Sequence, residues 1–211
     1  MTKPTININI EDISSGSKIP LLNVDGQQNL SEGVFDTASE SYETLQFDRS
    51  KLNISTYSFS GIKIVIFEGR IYQEVKIPIQ DNSEYLSLAF VKSGTITTKS
   101  KRCSFEHIAK ARTANLCCHC HFEGTASFSP TEHLQIVSIC FPKGYLSEFD
   151  TLITQCNSYK AYGYMHIPMV NNLPMQECVD MLLNPPITDN VKQVFLKGKA
   201  YELISLSIQS M

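Results

Sequence analysis

Short runs of alternating apolar and polar residues, separated by turn signals, occupy the first two-thirds of this 211-residue chain. Leu86, Leu88 and Phe90 alternate with small residues, as in a half-buried strand whose successive side chains point to opposite faces. Turn dipeptides such as Ser93-Gly94 separate many of these runs. Strands this short and this regularly interrupted predict a sandwich or a barrel. The other predicted strands are Ile6–Ile10, Tyr42–Phe47, Ile62–Phe67, Ile71–Ile79, Asn115–Phe122, Thr125–Phe128 and Leu134–Phe141.

The pattern changes after Pro142, where apolar residues begin to recur at the spacing of a helix. Leu146, Phe149, Leu152 and Ile153 share one helical face. A second helix is predicted over Leu173–Leu183, which Pro185 and Pro186 end, and a third over about Asn190–Ile208, with Thr188 or Asp189 as its N-cap. The sequence therefore predicts an α+β, mainly β fold, with a β domain over residues 1–142 and a helical segment over residues 143–211.

The last predicted helix carries apolar residues on more than one side. A surface helix would confine them to a single stripe, so we expect this helix to lie between its own domain and a partner subunit or another part of the protein. The three apolar sets are Val191, Phe195 and Leu206; Val194, Tyr201 and Ile208; and Leu196, Ala200 and Leu203.

Charge and composition argue against several classes of protein. The formal net charge is −3 and the cationic residues are scattered, so we expect no direct contact of this chain with nucleic acid. No apolar run approaches the length of a membrane span, and the N-terminus lacks the apolar region of a signal peptide. Seven cysteines, an odd number, indicate free thiols in a reducing compartment. We expect a cytoplasmic protein without membrane partners.

The C-terminal third resembles the effector-binding N-terminal part of AraC-type bacterial transcription regulators. The residues that carry the resemblance are LLNPPITDNVKQVFLKGKAYELISLSIQ, Leu182–Gln209, with Lys199 followed shortly by Glu202-Leu203. The segment Gly61–Gly94 is similar to strands of the same family, and the resemblance extends roughly from Gly61 to Met211. Two positions depart from the family pattern: Ile187 stands where an aromatic is common, and Gly198 replaces a good helix former.

This resemblance implies a cupin-like small β-barrel of the jelly-roll type that senses a small-molecule effector, followed by helices that form a homodimer. It also implies a DNA-binding domain with helix-turn-helix units, which we expect to lie beyond Met211. DNA binding would then belong to that domain and to no residue of this chain.

The stretch NLCCHCHFE, Asn115 to Glu123, places three cysteines and two histidines in five consecutive positions. On a strand, Cys117, His119 and His121 share one face, whereas Cys118 and Cys120 share the other with Leu116 and Phe122. The first face supplies three possible ligands of a tetrahedral metal ion. Because the second face is the more apolar, we expect it to point into the barrel and the histidines to point outward. A structural role is favoured, with a metal site and thiol redox sensing as the alternatives.

Three hypotheses follow. In the first, the chain is the sensing and dimerising part of an AraC-type regulator, with no cofactor and no catalytic activity, because no nucleophile elbow, Walker loop or dinucleotide loop occurs. In the second, it is a free-standing metal-binding cupin, an enzyme or a metal sensor, that uses Cys117, His119 and His121. In the third, it is a dimerisation module with a packed barrel. The first hypothesis assigns Leu86, Leu88, Phe90, Cys118 and Cys120 to the pocket, and Val194, Tyr201 and Ile208 to the dimer interface.

Overall fold

A computed structural model of the chain describes residues 39–59, 61–80, 84–101, 106–120, 122–155, 164–187 and 190–211. The predicted strand Ile6–Ile10 and the predicted caps Thr188 and Asp189 lie outside these residues. The strands are β1 Ser39–Phe47, β2 Ser50–Phe59, β3 Ile62–Ile71, β4 Val75–Gln80, β5 Glu84–Ser93, β6 Thr95–Ser100, β7 Glu106–Lys110, β8 Thr113–Cys120, β9 Glu123–Phe128, β10 Thr131–Pro142 and β11 Tyr164–Met169. The helices are α1 Ser147–Gln155, α2 Leu173–Leu183 and α3 Asn190–Gln209.

The strands form two antiparallel sheets that lie face to face. The larger has seven strands in the order β1-β2-β3-β10-β5-β8-β11, and the smaller has four in the order β4-β9-β6-β7. The α+β, mainly β prediction is confirmed. The described strands form two separate ladders, so of the sandwich and the barrel that the sequence left open the structure has the sandwich, without a closed barrel.

The larger sheet is the middle layer of three, with the smaller sheet on one face and the helices on the other. Two hydrophobic clusters result, one between the sheets and one between the larger sheet and the helices. The second cluster includes Phe149 of α1, Leu182 of α2 and Leu203 of α3. Because both faces of its central strands are covered, these strands read as almost continuous apolar runs, as in Ile62–Phe67.

Local sequence signals explain several of the turns and ends. Asp48 and Gly94 have φ angles of 51° and 89° at the β1–β2 and β5–β6 turns, a region that glycine and aspartate tolerate best. Asn172 caps α2 by accepting a hydrogen bond from the Met175 N–H at 3.1 Å. Pro78 and Pro168 lie in β4 and β11, which stand at the edges of their sheets, where a missing N–H is tolerated.

All three predicted helices are present close to their predicted bounds. The segment after Pro142 also contributes a strand that the sequence did not reveal, since β11 returns to the larger sheet and pairs with β8. The helical segment therefore shares the sheet of the β domain.

One lysine joins the long helix to the first two strands. Lys192 of α3 donates to the hydroxyls of Tyr57 at 2.9 Å and Tyr42 at 3.2 Å, and it pairs with Glu40 at 3.4 Å. Its ammonium also lies 4.8 Å from the centre of the Tyr57 ring, within cation–π range. These contacts anchor the start of α3 on the β1–β2 hairpin.

We expect Lys192→Met to lower the free energy of unfolding by about 1 to 2 kcal/mol, because the apolar stem is kept while the charged hydrogen bonds are lost. Urea unfolding measures the change. Lys76→Met is the control, since the Lys76 side chain is 63% exposed and forms a surface ion pair with Glu74. Equal effects of the two substitutions would contradict this role for Lys192.

Candidate functional site

Four of the five predicted pocket residues lie on the helix side of the larger sheet. Leu86, Leu88, Phe90 and Cys118 are at most 1% exposed and belong to one hydrophobic cluster with side chains of the three helices. Of Cys120, the structure describes only its place in β8. Their assignment to a ligand pocket stays a prediction. They are inward-facing, but they form the core between sheet and helices.

The opposite face of the same strands borders a cavity of about 130 Å³ between the two sheets. We call this space the inter-sheet cavity. It exists because several facing positions carry small side chains, Ala89, Ala109, Ala126 and Ser138. The remaining lining residues are Val65, Phe67, Ile79, Tyr85, Ser87, Val91, Ile96, Thr98, His107, Cys117, Phe128, Ile136 and Cys140.

Polar side chains gather at one end of this cavity, and we call Ser87, His107 and Cys117 the polar end. Cys117 of β8 lies between Ser87 of β5 and His166 of β11 in the strand register, so the three are cross-strand neighbours. His107 of β7, in the facing sheet, lies against His166 with ring centroids 3.7 Å apart. The opposite end is apolar, with Val91, Ile136 and Phe128.

The placement of Cys117 corrects the predicted orientation of the cysteine and histidine cluster. Cys117 lines the inter-sheet cavity, whereas Cys118 packs among the helices. His119 pairs with Tyr85 and Tyr164 in the register, and His121 lies outside the described residues. Among the described residues, no three metal-ligating side chains come together in a way that could hold an ion.

Sequence reasoning missed His107, His166 and Lys63. Lys63 is 2% exposed and lies beside Cys140 in the register, on the face of β3 that also carries Val65. A lysine inside the apolar run Ile62–Phe67 is a visible signal, because a central strand buries such a residue only rarely. His107 and His166 had no such signal, since only the pairing of their strands brings them together.

Burial lowers the pKa of His166. Below about pH 6.5 the unfolded chain therefore binds a proton that the folded protein binds less readily, so stability falls as the pH falls. We expect His166→Gln to reduce the loss of stability between about pH 7.5 and about pH 5.5, measured by urea unfolding. His133→Gln, at an exposed position of β10, is the control. An unchanged pH dependence in His166→Gln would contradict the expectation.

The thiol of Cys178 lies outside this cavity, in the helix-side core. Cys178 of α2 donates to the backbone carbonyl of Lys199 at 3.1 Å, and burial raises its pKa to about 12. Such a thiol stays protonated and unreactive at neutral pH.

The predicted interface residues have different surroundings. Val194 of α3 is 72% exposed and Tyr201 is 39% exposed, although the Tyr201 hydroxyl lies 2.9 Å from that of Tyr145. Ile208 is half-buried and packs against the helix-side core. On the opposite side of α3, Leu196, Ala200 and Leu203 are fully buried. The helix thus buries one face and leaves apolar residues uncovered on another.

A model of the family described as the regulatory protein PchR N-terminal domain matches residues 49–211. The chain belongs to this family. The resemblance to the effector-binding part of an AraC-type regulator is thereby confirmed. No curated protein sequence matches the chain significantly. Within the described residues, no helix is long and apolar enough to cross a membrane.

This PchR N-terminal family member also has weakly similar solved structures. An apo ToxT K231A from Vibrio cholerae shares 7% identity over 71% of this chain and 56% of its own length, with a TM-score of 0.43. The AraC-like transcriptional activator CuxR shares 7% identity over 78% of this chain and 58% of its own length, with a TM-score of 0.41. The chain thus spans less than two-thirds of either protein.

Proposed function

We propose that this chain is the effector-sensing and dimerising part of an AraC-type transcription regulator, and that it controls DNA binding by a helix-turn-helix domain outside the chain. The observation that carries the proposal is the inter-sheet cavity, in a domain whose family is that of a regulatory protein. A concave, mostly apolar space with a few convergent polar groups is the usual form of a small-molecule site.

The effector is a small molecule that enters the inter-sheet cavity. In this proposal the helix-side residues Leu86, Leu88, Phe90 and Cys118 carry the response to the helices instead of touching the ligand, because they form the contact between the larger sheet and α1, α2 and α3. No catalytic step and no cofactor are assigned.

Dimerisation is assigned to the uncovered face of α3. Val191, Val194, Gly198 and Tyr201 are exposed and recur at spacings of three and four residues, as in a helix that packs along a partner helix. A Cβ added at Gly198 would meet nothing within 4 Å, so no contact inside the chain requires a glycine there. A glycine in a helix interior costs about 1 kcal/mol. A partner helix that crosses closely at this position explains why a glycine stands at position 198.

We expect the wild-type domain to be a dimer by light scattering coupled to size-exclusion chromatography, and Val194→Glu to be a monomer with unchanged thermal stability. The stability is kept because Val194 is 72% exposed within one chain. Val170→Glu is the matched control, since Val170 is 65% exposed but precedes α2 and lies outside α3. A monomeric wild type, or a Val194→Glu variant that still dimerises, would overturn this interface.

A further inference from the structure

The size of the inter-sheet cavity restricts what it can hold. Its volume is about 130 Å³. Pockets for drug-sized ligands are several times larger, whereas apolar cavities of about 150 Å³ take one benzene ring. The space between the sheets therefore has room for about one ring.

The lining restricts the charge of the ligand. None of the described side chains that border the cavity is an aspartate, glutamate, lysine or arginine. A charged molecule would lose its hydration here without gaining an ion pair, which is costly. Lys63 is buried on the same sheet face, beside Cys140, but it does not border the cavity. The lining therefore selects a neutral molecule.

The distribution of polar groups gives the ligand an orientation. Ser87 and His107 are 5% and 8% exposed at the polar end, and Val91, Ile136 and Phe128 close the other end. A serine hydroxyl donates and accepts hydrogen bonds, and a neutral imidazole offers one donor and one acceptor nitrogen. Val65, Phe67 and Ala126 line the cavity with apolar surface suited to a ring.

We propose that the inter-sheet cavity binds a neutral single-ring molecule that carries one hydroxyl group, a phenol or a cyclic alcohol, with the hydroxyl at the polar end. This inference rests on the proposed sensing function and names its ligand class. The ring fills the space that the small side chains Ala89, Ala126 and Ser138 leave, and the hydroxyl exchanges hydrogen bonds with His107 and Ser87.

The stacked position of His166 supports this arrangement. The centroid of its ring lies 3.7 Å from that of the His107 ring, so the two rings are in direct contact. Burial lowers the pKa of His166, which favours the neutral form of the ring behind His107. A neutral His166 ring beside His107 suits a hydroxyl better than a carboxylate.

The test measures binding of phenol, toluene and sodium benzoate to the purified domain by calorimetry and thermal shift. These three molecules differ in the polar group but share one ring. We expect phenol to bind and to raise the melting temperature, toluene to bind about tenfold more weakly, and benzoate not to bind. Tighter binding of benzoate than of phenol would overturn the neutral class and implicate Lys63. Equal binding of phenol and toluene would overturn the role of the polar end.

Three variants locate the site. Ala126→Leu fills the cavity and should abolish phenol binding. His107→Phe keeps the stacking on His166 but removes the hydrogen bonds, so phenol should bind about tenfold more weakly while toluene is unaffected. Ile108→Gln is the control, because the Ile108 side chain follows His107 but is 50% exposed, and this variant should bind phenol like the wild type. Retained phenol binding in Ala126→Leu would overturn the location.

A complete absence of binding by phenol and toluene would overturn the ligand class, and a reporter assay on the full-length regulator separates that result from failure of the sensing function. If the regulator responds to another small molecule and Ala126→Leu abolishes the response, the cavity senses a ligand of a different class. If the response survives in Ala126→Leu, the sensing function of the cavity also fails.

Discussion

Replacement of Phe141 by alanine should lower the free energy of unfolding by about 4 kcal/mol, the usual range for a large aromatic side chain removed from a core. Phe141 is the last residue but one of β10, is fully buried and stacks on Phe149 of α1 with ring centroids 5.6 Å apart. It also contacts the ring of Tyr145, which leads into the helix, at 6.1 Å. The substitution leaves a void where the larger sheet meets α1. Guanidinium unfolding followed by circular dichroism measures the loss.

Tyr72→Ala is the control for this experiment, because Tyr72 is also aromatic but is 49% exposed just after β3. Its loss should cost less than about 1 kcal/mol. Similar values for the two substitutions would mean that α1 does not pack on the sheet as described.

Two adjacent residues of β5 should differ in how much stability is lost when the volume of the side chain changes. Leu88 is fully buried against the helices, so Leu88→Ala should cost about 3 kcal/mol through the void that it creates. Ala89 borders the inter-sheet cavity, so Ala89→Leu should cost less than about 1 kcal/mol, because its added methyl groups enter existing space. Thermal and chemical unfolding of the two single variants measure both effects.

The pair identifies which face of the sheet contains space. A large loss of stability in Ala89→Leu, with a small one in Leu88→Ala, would place the cavity on the helix side and contradict the structure. Tyr201→Phe is an independent control, since it removes only the hydroxyl contact to Tyr145. It should leave the stability effects of Leu88→Ala and Ala89→Leu unchanged.

The helices were predictable because their signals are local. The 3.6-residue period of Leu146, Phe149 and Ile153 and the prolines after Leu183 place two of them without knowledge of the fold. The N-terminus of α2 follows equally from Asn172 and the proline in its first turn.

The strands were predicted less completely. Strands β2 and β6 are rich in serine, threonine and lysine, and β7 has only five residues, so their local patterns resemble loops. Pairing with neighbouring strands is what makes them strands. Strand β11 follows a helix and contains Pro168, so its place beside β8 depends on a contact with a strand more than forty residues earlier. No short-range pattern records such a contact.

The candidate site was the least predictable part. Strand parity correctly separated Cys117 from Cys118 but placed the Cys117 face outside, because the parity rule assumes that only one face of a strand is buried. Here the smaller sheet covers one face and the helices cover the other. His107 and His166 come from different sheets, and their contact cannot be predicted without the register of β8 with β11.

The most direct test of the claim that a small molecule enters between the two sheets is the diffraction of crystals held under xenon, a gas that occupies accessible apolar cavities without any knowledge of the natural effector. The fold described here predicts a xenon atom bounded by Val65, Ala89 and Ala126. It also predicts that Ala126→Leu crystals lack this atom. Xenon found only among Leu86, Leu88 and the helices, or found at neither place, would contradict the claim.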